Sequence, residues 1–113
     1  MNTRELIKER QLEVRSQDLQ PGRAAEILNE LSSLIGTIND RIRECDVVYN
    51  QVLLKALQSS EKASHAKIGA ETTPEYVSKR EARDTKEVAI EMIRSLKYFL
   101  KAKEDEMRIS KYQ

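Results

Sequence analysis

His65 and Cys45 are the chain's one imidazole and one thiol, the side chains with the widest chemical repertoire. An imidazole can act as a base or hold a metal, and a thiolate can attack carbon or hold zinc, but each role needs partners at fixed spacing. Neither residue has them. Lys62, not a glutamate, stands three residues before His65, so the Glu-x-x-His pair of di-iron helical bundles is missing. With three glycines in all there is no glycine-rich phosphate loop. No serine or cysteine is paired with a histidine base in a recognisable nucleophile motif. These residues predict a non-enzymatic protein with no metal, no cofactor and no catalytic residue.

What remains is charge. "SKREARDTK", residues 78–86, carries Lys79, Arg80, Arg83 and Lys86, and Lys62 and Lys67 fall near them if the chain turns back between the two groups. Residues 59–86 hold six basic and five acidic side chains, a small excess, so the functional reading here is local recognition of a partner protein by Lys62, Lys79, Arg80, Arg83 and Lys86. The C-terminal stretch has a clearer excess: Lys97, Lys101, Lys103, Arg108 and Lys111 stand against Glu104, Asp105 and Glu106. Tyr98 and Tyr112 lie beside these cations, where rings can stack on unpaired bases, and this makes contact with nucleic acid the alternative reading. The bland counterparts are a solvated helix face and aromatic residues at a bundle edge.

Positioning these groups is the work of long helices. Charged residues make up 35% of the 113 residues and aromatic ones 4%, with no tryptophan, a mix suited to long helices rather than to a thick globular core. Asn2 with Glu5 has capping-box spacing and predicts a first helix over about 3–17. Pro21 opens a second. Its seam of Leu28, Leu31, Ile35, Ile38, Ile42, Cys45, Tyr49, Val52, Ala56, Ser59, Ala63 and Ala66 alternates steps of three and four residues, which predicts a helix over about 21–67 with Gly69 as its left-handed stop. Thr72 or Thr73 followed by Pro74 and Glu75 opens a third, over about 73–110. Its seam runs through Ala82, Ala89, Met92, Leu96, Leu100 and Met107, and its charges make helix-face pairs such as Arg80–Asp84, Arg83–Glu87 and Lys101–Asp105.

A short connection predicts an antiparallel hairpin, an all-α fold in one domain. Matching the seams about the loop sets Ser59 by Ala82, Val52 by Ala89, Tyr49 by Ile93, Cys45 by Leu96 and Ile42 by Leu100. Helix 1 then packs along the small residues Ala25, Ser32 and Gly36. Val47, Val48, Leu53, Leu54 and Leu57 lie off the seam, and a helix apolar on several sides wants more than one neighbour. These five residues predict self-association, a dimer or a larger bundle.

The formal charge of +1 creates no long-range field of one sign. No apolar stretch approaches the roughly 20 residues that span a bilayer, the N-terminus lacks the apolar core of a leader, and a lone cysteine suits a reducing compartment. A soluble, cytoplasmic protein with no membrane partner is expected. The stretches "YNQVLLKAL", "TTPEY" and "IRSLKYFLKAKEDEMR" resemble those of small helical proteins encoded by tailed phages and prophages. That resemblance implies an accessory factor acting on phage or host machinery and transfers no functional residue. Two functions follow as expectations: a coiled-coil interaction protein that binds itself and a partner protein, or a nucleic-acid-associated accessory factor.

Overall fold

The computed structural model describes residues 1–112, and they form α1 (Thr3–Val14), α2 (Pro21–Ser59), α3 (Ala63–Ala70) and α4 (Pro74–Tyr112), with no strand among them. The fold is all-α, with long helices packed on one another. The chain divides into two compact units. One comprises residues 1–35 and 87–113, the other residues 36–86, so α2 and α4 each contribute to both.

Local chemistry explains each boundary. Asn2 is extended, at φ −84° and ψ 171°, and its Oδ1 accepts from the Glu5 N–H at 2.9 Å, which satisfies a donor that the first helical turn leaves open. α1 stops at Val14 rather than near residue 17. The Ser16 N–H bonds the Glu13 carbonyl at 3.1 Å and the Ser16 hydroxyl accepts from the Asp18 N–H at 3.3 Å, a local alternative to helical bonding. Pro21 occupies the first turn of α2, whose Ala24 N–H bonds the Gln20 carbonyl at 2.9 Å.

The second helix ends at Ser59, not at residue 67, and a separate short helix takes up the difference. The Ser59 hydroxyl donates back to the Lys55 carbonyl at 2.9 Å, and the chain breaks over residues 60–62 before Lys62 turns extended, at φ −118° and ψ 130°, ahead of α3. Serine side chains that bond nearby carbonyls weaken helix continuation, a local effect that the regular seam conceals. Gly69 is not a left-handed stop: α3 runs past it to Ala70 and no described residue has a positive φ. Threonine hydroxyls make the stop instead. Thr72 Oγ1 donates to the Gly69 carbonyl at 2.7 Å and Thr73 Oγ1 to the Ala70 carbonyl at 2.6 Å. Thr73 Oγ1 also accepts from the Tyr76 N–H at 3.4 Å, so one hydroxyl closes α3 and caps α4.

In the first unit α1 packs against the N-terminal part of α2. Ile7, Ala24, Ile27, Leu31, Ala89, Met92 and Leu96 are buried, and burial of such side chains contributes on the order of 1.5–3 kcal/mol for each large one. Arg10, which interrupts the apolar stripe of α1, reaches across to Glu30 with Nε 3.0 Å from Oε1. Arg23 grips Glu13 with a two-pronged contact, Nη2 to Oε2 at 3.0 Å alongside Nε to Oε1. These links set α1 on the Arg23 and Glu30 side of α2. The expected strip of Ala25, Ser32 and Gly36 is not used: Ser32 and Gly36 are exposed, and apart from its own helix backbone and chain neighbours nothing lies within 4 Å of the place a Cβ on Gly36 would occupy.

In the second unit Ile38, Cys45, Tyr49, Ala66, Ala70, Ala82 and Thr85 are buried. Thr85 donates its hydroxyl to the Glu81 carbonyl at 2.7 Å, so a buried polar group is satisfied within its own helix. The pairing of α2 with α4 differs from the seam-matching expectation. Tyr49 lies beside Tyr76, ring centroids 5.4 Å apart, and beside Lys79, while Asp46 bonds Arg83. This displaces the helix pairing by about two heptads toward the connection. Of the residues expected to pair across the hairpin, Cys45 and Tyr49 are buried in the second unit and Leu96 in the first, while Ile42, Ile93 and Leu100 are only half-buried.

Candidate interaction site

The basic residues near the connection are largely engaged inside their own unit. The Lys79 ammonium lies 4.4 Å from the centroid of the Tyr49 ring, and the Arg80 guanidinium lies 5.9 Å from that of Tyr76. With the two rings tilted at 46° to one another, these four side chains form a continuous cation–aromatic–aromatic–cation stack. Burial pushes the Tyr49 phenol above its ordinary range, so it is neutral at physiological pH. A hydrogen bond with Tyr76 raises the Arg80 guanidinium above its ordinary range.

Arg83 Nη2 donates to Asp46 Oδ2 at 2.7 Å, and the buried Asp46 Oδ1 has no hydrogen-bond partner. Lys62 and Lys86 make no ion pair among the described residues, Lys62 being exposed and Lys86 half-buried. Among the described residues the expected helix-face pairs Arg80–Asp84, Arg83–Glu87 and Lys101–Asp105 do not form salt bridges; Arg80 and Arg83 turn toward Tyr76 and Asp46 instead. The periodicity of α4 contained no sign of this, since Asp46 lies on α2 and only the register brings it to Arg83.

The five residues expected to mediate self-association lie on α2 within the second unit. Val47, Val48, Leu54 and Leu57 are exposed, at 56%, 45%, 57% and 41%, and Leu53 is half-buried. Cys45 and Tyr49 are buried on the other side of the same helix, at 4% each. At 100° per residue Val47 and Leu54 share a line almost opposite that seam, with Asn50 and Gln51 between them.

The C-terminal cations sort by helix face. Arg94, Lys97, Lys101, Glu104, Arg108 and Lys111 follow one another in steps of three and four, which places them in one stripe of α4, and all six are exposed. Lys103 is not in it: its ammonium lies 5.7 Å from the Phe99 ring centroid and 3.5 Å from Glu106 Oε2. Arg94 is the residue that counting charges in the tail overlooks, although its spacing from Lys97 and Lys101 is legible once the helix phase is followed. Tyr98 is 79% exposed between Arg94 and Lys101, not packed at a bundle edge. The Tyr112 side chain lies outside the described residues. From Glu104 to Lys111 every side chain is exposed, Met107 and Ile109 included.

In the first unit α1 and α4 also flank a shallow cleft of about 420 Å³ lined by Gln11, Val14, Arg15, Glu87, Val88, Glu91, Met92 and Ser95. Ser95 is its one hydroxyl, and no imidazole or thiol lines it. No group of three or more His, Cys, Asp or Glu side chains suited to a metal ion occurs among the described residues, and no helix there is long and apolar enough to cross a membrane. His65 is exposed on α3 and Cys45 is a buried free thiol on α2. Comparison with protein-family models, with curated proteins and with solved structures finds no match to this chain.

Proposed function

We propose that this protein is a non-enzymatic helical interaction module that self-associates through the outer face of α2 and presents its remaining surfaces to a protein partner. The observation that carries the proposal is the exposure of Val47 and Leu54 almost opposite the buried seam of α2, with Val48 and Leu57 exposed on its two flanks. Exposed apolar side chains on more than one side of a helix favour a further helical neighbour.

A second copy of the chain is the occupant that the pattern favours. A twofold interface must be self-complementary. Val47 and Leu54 are spaced evenly about Asn50 and Gln51, so an antiparallel partner helix crossing there sets each Val47 against the other copy's Leu54. The central amides then meet one another, and polar residues at a helix interface fix register. A cytoplasmic setting belongs to the same reading, since Cys45 is kept as a buried free thiol. The resemblance to small phage and prophage proteins favours an accessory role on phage or host machinery.

Light scattering at micromolar concentration tests the proposal. The protein should have twice the mass of the chain, and Val47→Lys with Leu54→Lys should halve it without loss of helical circular dichroism. A monomeric parent protein would refute self-association.

A further inference from the structure

We propose that the exposed stripe Arg94, Lys97, Lys101, Arg108 and Lys111 of α4, with Tyr98 at its edge, binds the backbone and bases of single-stranded nucleic acid. Five cations occupy one face of one continuous helix, and from Arg94 to Lys111 they extend about 26 Å at 1.5 Å per residue. A straight row of this kind tracks a phosphate backbone, where affinity comes from release of condensed counterions rather than from base contacts. Glu104 is the one acid in the row, and Arg108 meets its charge at 2.8 Å. Arg94 is shared with Glu91 at 3.1 Å on an exposed surface, a contact that contributes little and yields readily to a phosphate. Lys97, Lys101 and Lys111 have no carboxylate partner among the described residues.

Tyr98 selects the single strand over the duplex. A tyrosine 79% exposed on a helix, one turn from Arg94 and from Lys101, has nothing of its own unit to pack on. Unpaired bases offer it a stacking face, while the stacked interior of a duplex does not. An acidic protein surface would use the cations but would leave the ring idle. The stripe shares no residue with the apolar face of α2, so either proposal can fail alone.

Fluorescence anisotropy with the full-length protein and a labelled oligothymidylate of about 20 nucleotides, beside a duplex of equal length, tests the inference across roughly 50–200 mM salt. With Arg108 engaged by Glu104, four phosphate contacts on a single strand predict a log–log salt slope near −2.8, from about −0.7 per contact. Lys97→Gln with Lys101→Gln should flatten the slope by about 1.4 and weaken binding at least tenfold. Tyr98→Ala should weaken the single strand at least fivefold and leave duplex binding and the salt slope unchanged. All three residues are exposed, so circular dichroism and scattering mass should match the parent. No binding, binding indifferent to salt, or Lys variants that bind as the parent does would overturn the assignment. Equal or tighter duplex binding with a silent Tyr98→Ala would overturn the choice of single strand. Retention by anionic phosphatidylserine vesicles without oligonucleotide binding would replace nucleic acid with a lipid surface.

Discussion

The Lys79 ammonium of α4 sits 4.4 Å from the centre of the Tyr49 ring of α2, and Tyr49 is 4% exposed. One contact therefore joins a core side chain to a cation that composition alone assigns to the surface. Tyr49→Ala should destabilise the protein by about 3–5 kcal/mol, the range for losing a buried aromatic ring. Lys79→Met, which keeps the aliphatic stem, should cost about 0.5–1 kcal/mol. Urea denaturation of the single and double variants should give a coupling energy near the Lys79 value; strict additivity would mean that the cation and ring do not interact.

Arg83 is bonded to Asp46, whose Oδ1 lacks a partner, so reversal of its charge should be felt by the fold. Arg83→Glu sets two carboxylates together and should cost about 1–3 kcal/mol. Lys62→Glu, at an exposed position, should shift stability by no more than about 0.5 kcal/mol. A test for partner recognition by the connection end of the molecule should accordingly use Lys62 with Lys86. Equal urea midpoints for Arg83→Glu and Lys62→Glu would show that the Asp46 contact contributes nothing.

Leu96 has no exposed surface, while Ala63 at the start of α3 is exposed. Leu96→Ala should cost about 2–5 kcal/mol through the cavity it leaves. Ala63→Leu should change stability by under about 0.5 kcal/mol. Thermal denaturation followed by circular dichroism distinguishes the two, and equal losses would contradict the burial pattern.

The hydrogen bond from Arg23, opposed in part by desolvation, holds the Glu13 carboxyl below the usual carboxylate range. A depressed pKa means that the folded state holds the proton less tightly than the unfolded chain does. The stabilisation is then complete above the ordinary carboxylate pKa and is lost as pH falls through that value toward the lower folded one. Amide hydrogen exchange in α1 should show this. Glu13→Gln should expose α1 amides near pH 7, and the gap between variant and parent should narrow as the pH falls below the ordinary carboxylate range. A gap independent of pH would assign the effect to side-chain shape and not to charge.

Three of the four helix starts were legible in the chain because their cause is local, whereas the ends at Val14, Ser59 and Ala70, set by serine and threonine hydroxyls, were not. Asn2, Pro21, Thr73 and Pro74 act on the backbone within a turn of themselves, and each marks a helix start. The three-and-four spacing identified Leu31, Ile38, Cys45, Tyr49, Ala82, Ala89, Met92 and Leu96, all buried. It could not decide which of them meet, because a heptad pattern is unchanged when one helix slides past another by whole heptads. The break after Ser59 and the insertion of α3 chose among those equivalent registers, and that choice brought Tyr76 and Lys79 to Tyr49 and Arg83 to Asp46. Whether a cation near the connection faces solvent or a ring was thus a property of tertiary structure alone. The stripe on α4 is the opposite case: a single helix aligns its residues, so their order along the chain sufficed once the phase was followed, and tertiary structure decided only that nothing in its own unit covers Tyr98.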